Sequence, residues 1–99
     1  MTVMSDLIVI ARARCQPGRE SEMEAALKTN AAASRSEAGC VSYAVIRGAE
    51  DRQLFMTIER WRSKPDFDAH MATAHVQTLL QTIGPMLATA PEIIPLTEV

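Results

Sequence analysis

The sequence predicts an α+β domain of the ferredoxin-like type, with the order β-α-β-β-α-β and an antiparallel sheet. Three observations carry this. Apolar residues alternate with a period of two over 7–15, 41–47 and 54–61, the signature of strands. They recur at helical spacing over 19–36 and again over 64–83. Glycine and proline mark the junctions between these runs. The 99 residues are expected to form a single domain, 1–99, because domains most commonly hold about 100–150 residues. Residues 1–5, which precede the first alternation, are expected to be a loose N-terminal arm.

The first strand runs from Leu7 to Cys15, with Leu7, Val9, Ala11, Ala13 and Cys15 on one face and Ile8, Ile10, Arg12 and Arg14 on the other. Gln16-Pro17-Gly18 ends it, because proline removes a ladder donor and glycine permits a positive φ. A helix follows over 19–36. Ser21 and Glu24 have the spacing of a capping box, Met23, Ala26, Leu27, Asn30 and Ala33 or Ser34 form its stripe, and Gly39 is the expected C′ residue. Val41–Arg47 and Leu54–Trp61 are strands joined by the polar turn Gly48–Gln53, which reads as a hairpin. Ser63 is the expected N-cap of the next helix, with Pro65 and Asp66 in its first turn and Phe67, Met71, Ala74 and Leu79 as its inward stripe. Thr73 has the chemistry to cap a fresh helical segment, so a kink is expected there, and Gly84-Pro85 breaks the pattern. Pro91–Val99 reads as a last short strand, confined by Pro91 and Pro95 to an edge or to a partner's edge.

Two helices can cover only one face of such a sheet, yet Ile8, Ile10, Ile46, Met56 and Ile58 make the other face apolar as well. A chain this small buries only about 60–70% of its unfolded surface, so it gains from further burial. We therefore expect a homodimer packed sheet to sheet.

Composition excludes several classes of partner. A net charge of −2 and scattered basic residues give no stripe for nucleic acid. The apolar run Leu7–Ala11 is far short of the roughly 18 residues of a membrane span. Neither nucleic acid nor membrane is an expected partner. Cys15 and Cys40 form no CxxC pair, so they read as small buried hydrophobes in a protein of the reducing cytoplasm.

The chemistry-bearing residues gather in the second half. Tyr43, Phe55, Trp61 and Phe67 are the four aromatics, and Phe55, Glu59 and Trp61 share one face of the third strand. If Ala11 and Ala13 share that face, their small side chains leave room for a pocket between sheet and helices; the alternative is an ordinary small core. Glu59, flanked by apolar residues, needs a partner: it either orients a catalytic histidine or holds helix to sheet. His70 and His75, five residues apart, would sit about 140° apart on one continuous helix. That is poor geometry for a metal, since helical ligands share a face at separations of three or four, and no metal site is expected. Histidine is the side chain that exchanges protons near neutral pH, so either residue suits a proton acceptor. Asn30 lies in the first helix's apolar stripe, where its amide can reach the same space or sit at the margin. No glycine-rich phosphate loop, GxSxG elbow or nucleotide fingerprint is present.

Pro17-Gly18, Glu37-Ala-Gly-Cys40 with Val41-Ser-Tyr43, Phe55 to Glu59-Arg-Trp61, and His70-x-x-Thr73-x-His75 together resemble the antibiotic biosynthesis monooxygenase domain. The resemblance spans about Leu7 to Leu96. It implies a dimeric α+β barrel, and a monooxygenase that oxidises a small phenolic or quinol-type substrate with dioxygen and no cofactor. Carried onto this chain, it implies His70 or His75 as proton acceptor, Trp61 as a polarising wall and Glu59 as orienter. Tyr43, Phe55, Asn30 and Phe67 would contact a small aromatic or quinone-like substrate. Other branches of the family imply two alternatives: a non-catalytic ligand-binding dimer, or an isomerase of a small phosphorylated metabolite. The isomerase would want a basic pocket, whereas alternation turns Arg12, Arg14 and Arg60 away from the proposed one.

Overall fold

Strand pairing in the computed structural model, which describes residues 6–99, follows the expected order. The expected N-terminal arm, residues 1–5, lies outside the described residues. The elements are β1 (Leu7–Arg14), α1 (Glu20–Arg35), β2 (Cys40–Arg47), β3 (Leu54–Trp61), α2 (Lys64–Met71), α3 (Ala74–Ile83) and β4 (Glu92–Thr97). A 3-10 turn, Gly84–Met86, follows α3. The sheet order is β2-β3-β1-β4, and every pair is antiparallel.

Register decides which side chains meet. Leu7 lies opposite Trp61, Val9 opposite Glu59, Ala11 opposite Thr57 and Ala13 opposite Phe55. The odd-numbered residues of β1 and β3 thus share the face that the helices cover, with the two alanines beside Thr57 and Phe55. The core has two lobes. Cys15, Met23, Leu27, Phe55, Ile83 and Met86 pack at one end, and Val9, Ala31, Tyr43 and Trp61 at the other. Trp61, Phe55 and Met23 are almost wholly removed from water. Burying a side chain of the Phe or Met class stabilises the fold by about 1.5–3 kcal/mol.

Local structure departs from the sequence reading in four places. Arg19 precedes α1 and gives it no side-chain cap, so Ser21 and Glu24 do not form a capping box. The turn is instead tied by the Glu20 carboxylate, which accepts from the Gly18 N–H at 2.9 Å, where Gly18 takes φ +89°. Gly39 is not a left-handed C′ residue, because α1 already closes at Ser36. Its missing side chain makes room for Asp66 of α2, which a Cβ would strike. At the start of β2 a bulge between Cys40 and Ser42 turns Val41 outward, so Val41 does not share Tyr43's face. In the last helical region the expected stripe fails at Ala74, which is exposed, because a new helix begins there with a new phase.

That new helix matters most. Thr73 accepts a hydrogen bond from the Val76 N–H at 3.3 Å and donates one to the His70 carbonyl at 2.7 Å. It closes α2 and opens α3 with one hydroxyl. His70 and His75 therefore sit on different helices, and the 140° separation expected for one continuous helix does not apply.

Replacing Thr73 with alanine should cost about 1 kcal/mol of stability, the usual loss for an N-cap, while Thr73→Ser retains most of it. Urea unfolding measures both; an alanine variant as stable as the parent would show that the hydroxyl is not what holds the break.

Candidate functional site

A cavity of about 90 Å³ lies between the sheet and the helices. Val9, Ala11 and Ala13 supply its floor on β1, where small side chains leave the space open. One end is apolar, formed by Met23, Leu27, Phe55, Leu79 and Ile83, and the other carries Asn30, Tyr43, Thr57, Glu59 and His70. Exposed Leu80, Pro91 and Ile93 border its mouth.

The polar end is a hydrogen-bonded assembly. Glu59 is 4% exposed and accepts from Thr57 Oγ1 at 2.6 Å and from Trp61 Nε1 at 3.0 Å. Alternation along β3 puts all three side chains on the same face, so the carboxylate is satisfied by its own strand neighbours. His70, 3% exposed, stacks against the Trp61 ring with centroids 4.4 Å apart. Its Nε2 lies 3.9 Å from Glu59 Oε1 and its Nδ1 lies 2.7 Å from Glu37 Oε2. Glu37 comes from the turn between α1 and β2. An ionised carboxylate can only accept, so the bond to Glu37 places a proton on Nδ1; in the neutral ring the lone pair is then at Nε2, on the Glu59 side. His75 Nε2 lies 2.9 Å from the same Glu37 oxygen and steadies it from α3.

The candidate residues are distributed as follows. Asn30, Tyr43, Phe55, Glu59, Phe67 and His70 line the cavity. Trp61 does not: it lies wholly buried, packed against the His70 ring. His75 does not line the cavity either. It borders a separate groove between α1 and α3, with Ala33 and Ala74. The two imidazoles thus meet at Glu37 rather than at one shared void. Glu37 was assigned no role from the sequence. Taking Thr73 as a full cap rather than a kink would have separated the histidines, and an acid beside the α1 terminus was then the available partner.

Asn30 donates from Nδ2 to the Tyr43 hydroxyl at 3.2 Å. Its Oδ1 is buried without a hydrogen-bond partner among the described residues. An orphaned acceptor on a cavity wall leaves a place for an O–H or N–H donor from a ligand. Burial raises the Tyr43 hydroxyl well above the usual tyrosine range, and the Glu59 charge raises it further. Burial likewise raises the Cys40 thiol, with the Glu37 and Glu59 charges adding to the effect, so Cys40 is held as a thiol rather than a thiolate nucleophile.

Tyr43 is the one tyrosine in the chain, which makes its ionisation easy to read. The folded state keeps the phenol protonated where an unfolded chain loses the proton near pH ~10. Stability associated with Tyr43 is therefore complete below about pH 10 and falls as pH rises above it. Tyrosinate absorbance should show no step until the protein unfolds, and Tyr43→Phe should remove that part of the alkaline destabilisation. A reversible phenolate step in the folded protein near pH ~10 would contradict the burial.

Comparison with known proteins places the chain in a family. The family model described as antibiotic biosynthesis monooxygenase matches residues 6–82. Rv0793 of Mycobacterium tuberculosis is 31% identical over 83 residues, covering 84% of this chain and 81% of that protein. The uncharacterized protein sll1783 of Synechocystis is 28% identical over 87 residues; the match takes in 88% of this chain but only 59% of that longer protein. Among solved structures, PA3566 from Pseudomonas aeruginosa superposes with a TM-score of 0.91 at 29% identity, covering 99% of each chain. The chain belongs to the antibiotic biosynthesis monooxygenase family.

Proposed function

We propose that the cavity binds a small phenol or quinol and that His70 removes its O–H proton, the first step of an oxygenation by dioxygen. One observation carries the reading: His70 is fixed at Nδ1 by Glu37 and offers Nε2 beside Glu59 on the cavity wall. Charge that develops on the ring as it takes a proton lies between two carboxylates, at 2.7 and 3.9 Å, and against the indole face of Trp61. Groups already aimed at developing charge need no reorganisation during the reaction. Once protonated, the His70 ring would also gain a cation–π attraction to the Trp61 ring packed against it.

The remaining chemistry belongs to the substrate. A phenolate is electron-rich enough to pass one electron to dioxygen, and the radical pair combines to a peroxide anion, which takes back the proton held on His70 to become a hydroperoxide. For an anthrone-like substrate the hydroperoxide then loses water and leaves the quinone carbonyl, so one oxygen atom enters the product and the other leaves as water. The protein's part is to bind, deprotonate and exclude bulk water. Asn30 Oδ1 would accept from a second polar group of the substrate, and Phe55 and Phe67 would flank the ring. His75, held on Glu37, acts as a positioning residue rather than as the base. In this scheme no metal or flavin takes part.

A phosphorylated substrate is less well served. Arg12, Arg14 and Arg60 belong to the opposite face of the sheet, where they pair with Glu92, Asp51 and Asp6. Arg47 is bound to Glu24 and to the Arg52 carbonyl. Arg12 reaches the cavity's border, and no arginine or lysine stands at the polar end among the described residues.

We also propose that the site works within a homodimer. Ile8, Ile10, Met56, Ile58, Ile94 and Leu96 cluster by register on the sheet face that bears no helix. Ile58, Ile94 and Leu96 are 42%, 37% and 39% exposed. A contiguous apolar face of this kind on a small domain fits a second copy of itself. Ile58→Glu should convert the dimer to monomer, read by light scattering during gel filtration; an unchanged mass, or a monomeric parent, would refute the pairing.

The catalytic reading is tested by oxygen uptake with a panel of hydroquinones and anthrones. The parent should consume oxygen, and His70→Gln should lose about 10²–10⁴ in rate, the usual contribution of a positioned base. Thermal stabilisation by these compounds without product would instead support a non-catalytic binding protein.

A further inference from the structure

We propose that Glu37, His70 and His75 bind a single divalent first-row cation of zinc-like preference, in the wall between the cavity and the α1–α3 groove. This site shares His70 and Glu37 with the proposed oxygenase site but does not rest on that reading. The two histidine nitrogens and the carboxylate oxygen all lie within 4.8 Å of one another. They come from three different elements: the α1–β2 turn, α2 and α3. Two imidazoles and one carboxylate form a donor set that suits zinc and its neighbours and leaves open positions.

Two of the three ligand pairs need little adjustment. His70 Nδ1 and His75 Nε2 now stand 2.7 and 2.9 Å from Glu37 Oε2. Tetrahedral ligands with bonds of about 2.0–2.1 Å are separated by roughly 3.3 Å, so each of these two pairs opens by about half an ångström. The two histidine nitrogens lie within 4.8 Å of one another. Glu37, at the end of the α1–β2 turn with 18% of its side chain exposed, can supply that movement. The ring protons are relocated rather than lost. On His70 the proton moves from Nδ1 to Nε2, toward the Glu59 carboxylate 3.9 Å away, and on His75 it moves to Nδ1. A carboxylate behind the ligating imidazole is the usual support for a metal-bound histidine. The groove that His75 borders with Ala33 and Ala74 would let water complete the coordination.

Charge supplies the second, independent argument. Glu59 is buried and Glu37 is half-buried, and among the described residues neither has a lysine or arginine within ion-pair distance. Their only ion-pair partners there are the two histidines. A divalent cation between them balances both carboxylates while the imidazoles stay neutral. Occupancy would leave a proton on His70 Nε2, so the cation-bound form is not the form that accepts a proton from a substrate.

The probe is Co2+, whose d–d absorption reports its ligands, added to tag-free, chelator-stripped protein without any substrate. The proposal expects one Co2+ per chain with visible bands, displacement of those bands by one equivalent of Zn2+, and a higher melting temperature. Glu37→Gln and His75→Gln should each weaken uptake at least about tenfold, and circular dichroism should show both variants folded. Absence of the bands in the parent, or uptake that survives both substitutions, would overturn the site. Because no substrate is present, failure of the metal site leaves the oxygenase reading untouched.

Discussion

One oxygen atom organises the polar end of this protein. Glu37 Oε2 receives His70 from α2 and His75 from α3, and through His70 it reaches the indole of Trp61 and the carboxylate of Glu59. Without that bond neither nitrogen of His70 would have a fixed role. With it, Nδ1 donates to Glu37 and Nε2 faces Glu59. The bond depends in turn on Thr73, whose hydroxyl divides what would be one helix into two and lets both imidazoles converge on the same point.

Space is arranged as economically as charge. β1 places Val9, Ala11 and Ala13 along the floor of the cavity, where larger side chains would have filled it. The volume is small, and its walls separate an apolar end from a polar one. That asymmetry favours a compact ligand with a hydrogen-bonding group at one end, and the orphaned Asn30 Oδ1 asks for a donor at the same end. On the other face of the sheet the same alternation collects Ile10, Ile58 and Ile94 in one row, so a single period-two pattern makes both a pocket and an apolar outer face.

The fold was largely legible because its signals are local. Alternation in β1 and β3, the Gly48–Gln53 turn and the Ser63 cap each depend on neighbours within a few residues, and the structure has Ser63 accepting from the Asp66 N–H. Sharing of a face by Ala11, Ala13, Phe55 and Glu59 was legible for the same reason. What was not legible depended on tertiary placement. The meeting of Glu37 with His70 and His75 spans 33 and 38 residues of sequence, and the spacing of five between the histidines pointed the wrong way once α2 ended at Met71. Trp61 is buried against the His70 ring rather than in the cavity wall, a tertiary contact that no periodicity encodes.

The central claim is that Glu37 holds His70 in the tautomer whose Nε2 is unprotonated. Nitrogen-15 NMR of the imidazoles in chelator-stripped protein tests it directly. The account predicts a protonated Nδ1 and a lone-pair Nε2 on His70, with that pattern lost in Glu37→Gln. A His70 ring protonated at Nε2 alone, or one indifferent to the loss of the Glu37 charge, would contradict it.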